Sequence, residues 1–155
     1  MADGSSGVMR YVITWVRLWF GAHLLYSGFR FYVTGTVPTP HPVAGPFIAS
    51  LNATGIYPLI KNLEIVTGAM IFFNLMVPLA LVVEFPISVV IFILNFFIVA
   101  TERQLVSGPL ELIVNSLLLV FYARYYLPLV TPVAPPRPLW TAIPSDVRAP
   151  QEQSR

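Results

Sequence analysis

The stretch Tyr57–Ala100, YPLIKNLEIVTGAMIFFNLMVPLALVVEFPISVVIFILNFFIVA, decides how the fold is read. No charged residue lies between Glu64 and Glu84, and none between Glu84 and Glu102. Two apolar runs stand back to back, with Asn74 and Pro78 marking a tight turn between them. Each run approaches the roughly 20 apolar residues that cross a ~30 Å hydrocarbon layer. A helix on the surface of a water-soluble domain keeps a polar face, and neither run has one. The stretch predicts a transmembrane helical hairpin.

Composition extends this reading to the whole chain. Of 155 residues, 56% are hydrophobic and 10% are charged, against about 25% charged in soluble domains. Mean hydropathy is +0.74. Too little polar surface remains to dissolve such a chain, so the lipid bilayer is its expected surrounding. A net charge of +2 with scattered basic residues offers no phosphate-binding patch, so nucleic acid is not an expected partner. The absence of cysteine excludes disulfides, thiol relays and cysteine-held metal clusters within the chain. The two histidines, His23 and His41, are too few for a four-ligand metal site, and no metal is expected.

Taken in order, residues 1–7 form a small, polar, mobile leader. A membrane domain over 8–129 follows, with spans at about 8–33, 57–76, 78–100 and 108–129. Arg17 interrupts the first apolar region and no small-x-small site follows it, which argues against a cleaved signal peptide. Between the first two spans, Pro38, Pro40, Pro42 and Pro46 forbid a regular helix over the first half of the loop. The apolar Phe47–Leu51 is expected to dip toward the membrane interface. A polar loop at Thr101–Ser107 joins spans three and four, and Phe121, Tyr122, Tyr125 and Tyr126 form an aromatic belt. Residues 130–155 make a proline-rich, extended tail. The expected fold class is thus an all-α, integral-membrane, four-helix up-down bundle. Both termini share a side, and the basic residues near them favour the cytoplasm.

Ionisable groups inside spans cost free energy and need partners. Counting ~1.5 Å of rise per residue places Arg17 and Glu84 at similar depth, and they are expected to form a buried ion pair. A second polar set falls in the other half: His23 and Ser27 on span one, Lys61 and Glu64 on span two, Asn95 on span three, Glu111 and Asn115 on span four. Two readings stand for this set, a polar cap at the interface or a small cavity that binds a ligand or moves protons. Gly21, Gly28 and Gly68 are read as packing positions that let helices approach closely. No hydrolase, zinc-protease, nucleotide-loop or dinucleotide motif is present, so no catalytic residue is assigned.

With those residues placed, the chain resembles the DoxX family of small four-helix bacterial membrane proteins. The likeness runs over about 10–129. It rests on Arg17-Leu18, Gly21 and Tyr26-Ser27-Gly28-Phe29-Arg30, then on Leu63–Gly68 and the short Asn74–Pro78 turn. The resemblance implies a membrane component associated with redox systems, with Arg17, Gly28 and Glu64 as positions for packing or ligand contact. Two functions follow as expectations. One is an accessory or scaffold subunit of a larger respiratory or photosynthetic membrane complex, or a homo-oligomer, gripped through the proline-rich loop and tail. The other is a quinone-binding redox subunit, with quinone or lipid as its non-covalent ligand. A small transporter is a weaker third, because broken helices and repeats are lacking.

Overall fold

The computed structural model describes residues 3–35 and 41–127, and these are all-helical. Five α-helices appear among them: α1 (Asp3–Thr34), α2 (Ala44–Ala53), α3 (Ile56–Phe72), α4 (Val77–Ile93) and α5 (Glu102–Phe121). A π-helical segment, Leu94–Val99, continues α4, and a 3-10 turn, Ala123–Tyr125, follows α5.

α1 contains no proline, and nothing in its sequence stops it before Gly35, whose φ of 61° ends the helix. It starts at Asp3, so most of the leader expected at 1–7 is helical. α2 corrects the loop expected before the second span. His41 Nδ1 accepts hydrogen bonds from the Val43 and Ala44 N–H groups at 3.3 and 3.1 Å, satisfying donors at the start of the helix. Pro46 then falls in the first turn, where its missing N–H costs nothing. Helix α3 begins after Gly55, at φ 81°.

The turn between α3 and α4 forms where the sequence places it. Asn74 and Met76 adopt left-handed conformations, and the Leu75 N–H donates to the Met70 carbonyl at 2.7 Å. Pro78 occupies the first turn of α4. The polar segment Thr101–Ser107 is mostly not a loop, because α5 starts at Glu102. Regular helix ends there at Phe121, short of the expected 129. The Tyr126 hydroxyl donates to the Pro78 carbonyl at 2.7 Å and ties the end of this region to the start of α4. The proline-rich tail at 130–155 and part of the first loop, 36–40, lie outside the described residues.

The four long helices form a ring in which α1 packs on α3, α3 on α4, α4 on α5 and α5 on α1. Neighbours run antiparallel, as shown by contacts of Gly21 with Phe72 and of Gly28 with Lys61. A Cβ on Gly21 would come within 2.7 Å of the Phe72 backbone nitrogen, and one on Gly68 within 3.0 Å of the Gly21 carbonyl oxygen. A Cβ on Gly28 would meet the Lys61 carbonyl at 2.9 Å. These glycines therefore set the α1–α3 separation.

The half of the bundle beside the α3–α4 turn is apolar, with Phe20, Leu24, Ile71, Leu81, Val114 and Leu118 buried together. Two helices, Val77–Val99 and Glu102–Phe121, are long and apolar enough to cross a membrane. Only 28% of the apolar window in each is buried within the bundle.

A polar-floored cavity as the candidate functional site

The other half of the bundle is hollow. A cavity of about 860 Å³ lies between α1, α3, α4, the π segment and α5, with Ile48 and Leu51 of α2 at its side. Its floor is polar. Lys61 Nζ donates to Ser27 Oγ at 3.0 Å and to Glu64 Oε1 and Oε2 at 2.7 and 2.8 Å. Lys61 and Glu64 are one turn apart on α3, so the helix itself holds the pair in register. Both are buried, Glu64 to 1% exposure. An ion pair removed from water is sustained only when its remaining polar atoms are also bonded, and Ser27 supplies one such bond.

His23 and Glu111 face each other across the α1–α5 contact, with Nε2 and Oε2 3.6 Å apart. Trp19 stacks on the imidazole at 5.5 Å between centroids, which fixes the ring plane. Glu111 Oε1 is buried and has no hydrogen-bond partner. Glu84 Oε1 is buried without a partner in the same way, while the Glu111 side chain as a whole borders the cavity.

Of the seven residues singled out from sequence as a polar set, His23, Ser27, Lys61, Glu64, Asn95 and Glu111 line this cavity. Asn115 does not. It lies deeper, with its side chain 3.1 Å from Ser88 Oγ. In the amide orientation that matches donors to acceptors, Asn115 accepts from the Phe85 N–H at 3.2 Å and donates to the Leu81 carbonyl at 3.3 Å. It thus braces α4 where Pro86 lacks an N–H.

The expected Arg17–Glu84 ion pair is not formed. The Arg17 guanidinium donates to the Ile71 carbonyl and, at 3.1 Å, to the Phe72 carbonyl. The last carbonyls of a helix lack intrahelical partners and attract cations, and α3 ends at Phe72, within reach of Arg17. Glu84 is fully buried and takes the Thr67 hydroxyl at 2.7 Å instead. The expected equal depth is also not kept: Arg17 meets the last turn of α3, whereas Glu84 meets Thr67, more than a turn deeper, and α1 and α4 stand across the ring.

Several lining residues escape the sequence reading. Tyr57, Arg103, Gln104 and Ser107 all border the cavity, as does Arg30, which the sequence places on one α1 stripe with His23 and Ser27. Arg103, Ser107 and Glu111 recur every fourth residue, a single helical stripe. That signal is hidden when 101–107 is taken as a loop. Tyr57 places its ring 5.3 Å from Lys61 Nζ and 5.2 Å from the Phe31 ring, closing one wall.

The arrangement can hold a molecule with a hydrogen-bonding head and an apolar body. The floor offers the His23–Glu111 and Lys61–Glu64 pairs, while Ile60, Ile87, Val90, Ile91 and Leu94 supply apolar walls. Among the described residues no group of three or more metal-ligating side chains occurs. Comparison with known proteins returns no matching family model, no matching curated protein and no matching solved structure.

Proposed function

We propose that this chain is a four-span integral membrane protein that binds a lipid-soluble amphiphile, of the quinone–quinol type, in its hollow half. The observation that carries the reading is the gathering of His23, Ser27, Lys61, Glu64 and Glu111 in a cavity otherwise lined largely by hydrocarbon. A hydroxylated head donates to the Glu111 carboxylate, while the His23 imidazole stands beside it for the head's acceptor atoms.

Membrane insertion is supported by what the bundle turns outward. Trp15 is 72% exposed on α1, Leu59 57% on α3, Phe97 66% on the π segment and Val120 69% on α5. Apolar side chains spread over every long helix suit lipid and not water. The DoxX-like resemblance agrees with this reading, as does a bacterial inner membrane with both termini in the cytoplasm. An accessory role in a larger redox complex rests on the proline-rich loop and tail, of which 36–40 and 128–155 lie outside the described residues. The cavity therefore places ligand binding first.

Trp19 provides the readout, since it stacks on His23 at the site. In a Trp15→Phe, Trp140→Phe background reconstituted into nanodiscs, a short-chain hydroquinone is expected to change Trp19 fluorescence saturably. Glu111→Leu removes the acceptor and is expected to weaken binding about tenfold or more. A signal that never saturates, with the same slope in both proteins, would overturn the reading.

A further inference from the structure

A second hollow adjoins the first. It has a volume of about 310 Å³ and lies between the start of α2 and the end of α4 with its π segment. Every side chain bordering it is apolar: Val43, Ala44, Phe47, Ile93 and Ile98, together with Val90 and Leu94. The last two also border the polar-floored cavity, so the two spaces adjoin along Val90 and Leu94. Val43, Phe47 and Ile93 are 62%, 45% and 46% exposed, which opens the groove to the outside of the bundle.

The backbone creates the groove by identifiable means. Ala44 is fully buried at its base and adds only a methyl group. The Ala100 N–H bonds to the Asn95 carbonyl, five residues back, so the helix is wider here than in α4. That wide turn puts Asn95 on the cavity while Ile93 and Ile98 stay on the groove.

We propose that this groove holds the alkyl tail of the amphiphile whose head sits at the His23–Glu111 floor. The ligand is then a long-chain molecule with a protic head, entering sideways between α2 and the π segment from the lipid. The inference rests on the ligand-binding reading above and adds the tail, its path and its point of entry. The charged side chains gather on α1, α3 and α5, with Asn95 of the π segment beside them, whereas the groove is lined by apolar side chains of α2, α4 and the π segment. An occupant spanning both must therefore be polar at one end and apolar at the other. Because a tail gains little by leaving lipid for an apolar groove, the groove selects by shape.

The test compares para-decylphenol with para-methylphenol, read by Trp19 fluorescence in nanodiscs in the same Trp15→Phe, Trp140→Phe background. Val43→Phe together with Ile98→Phe fills the groove. Decylphenol binding is expected to weaken about tenfold in this variant, the scale of an overpacked site, while methylphenol binding is unchanged. Equal losses for both phenols, or no loss for either, would overturn the tail assignment and leave the head site standing. If neither phenol binds the unfilled protein, the cavity reading fails and the tail assignment with it. A decylphenol carrying a diazirine at the chain end guards against a misfolded variant. It is expected to crosslink Phe47, Ile93 or Ile98 in the unfilled protein. Adducts confined to outer faces of α1 or α5 would overturn the proposal. So would groove labelling by a diazirine phospholipid that excess decylphenol does not displace, since the groove then holds only a bilayer chain.

Discussion

The Thr67 hydroxyl lies 2.7 Å from Glu84 Oε2 and equally near the Leu63 carbonyl oxygen. A hydroxyl has one proton to donate. The hydroxyl is shared between the Glu84 carboxyl and the Leu63 carbonyl. Glu84→Gln keeps an acceptor oxygen at the same place and is expected to change thermal stability by less than ~1 kcal/mol. Glu84→Ala leaves Thr67 and a cavity behind and is expected to cost about 2–4 kcal/mol. Melting of the two variants in the same detergent checks both values.

Arg17 binds the end of α3 and not Glu84. Arg17→Met is expected to destabilise the bundle by about 1–3 kcal/mol, because two carbonyls lose a charged donor. The double variant Arg17→Met, Glu84→Gln should cost the sum of the single variants within ~0.5 kcal/mol. A coupling well above that value would restore the ion pair that this structure replaces.

The α1–α3 contact depends on missing side chains. Gly21→Ala is expected to cost about 1–3 kcal/mol, since its Cβ would press on backbone that cannot yield. Gly7→Ala has open space within 4 Å and should be neutral or slightly stabilising. Melting temperatures of the pair decide between close packing and a general effect of alanine in α1.

Lys61 and Glu64 form a buried pair, and breaking it differs from replacing it. Lys61→Met alone strands a buried carboxylate and is expected to cost about 3–5 kcal/mol. Lys61→Met with Glu64→Leu removes both charges and should recover most of that loss. The same double variant should lose hydroquinone binding, which separates stability from site chemistry.

Much of this architecture is legible in the chain because apolar length and turn chemistry are local properties. The turn at 74–78 and the helical character of the four long segments follow from residues within a few positions. The six cavity-lining polar residues are also legible, since charge inside an apolar run stands out wherever it occurs. What the chain conceals is which helices are neighbours. Counting residues gives Arg17 and Glu84 one depth, yet the packing of α1 on α3 puts Arg17 at the end of α3 and Glu84 a turn deeper, and the ring order separates α1 from α4. The helical start of α5 is concealed for another reason: Thr101–Ser107 is polar, and that polarity masks the four-residue spacing of Arg103, Ser107 and Glu111. α2 is hidden by its prolines, although Pro46 stands where a helix tolerates one.

The central claim is that lipid surrounds this bundle and that the chain crosses it four times. The lack of native cysteine permits a clean test by single-cysteine labelling in sealed, oriented vesicles. Leu75→Cys, in the exposed α3–α4 turn, should react with a membrane-impermeant maleimide from one side only. Thr54→Cys and Thr101→Cys, at exposed positions flanking the hollow half, should react only from the opposite side. Val82→Cys, 48% exposed on α4, should resist labelling from both sides because hydrocarbon covers it. Labelling of all four positions from one side, or Val82→Cys reacting as readily as Leu75→Cys, would contradict the account.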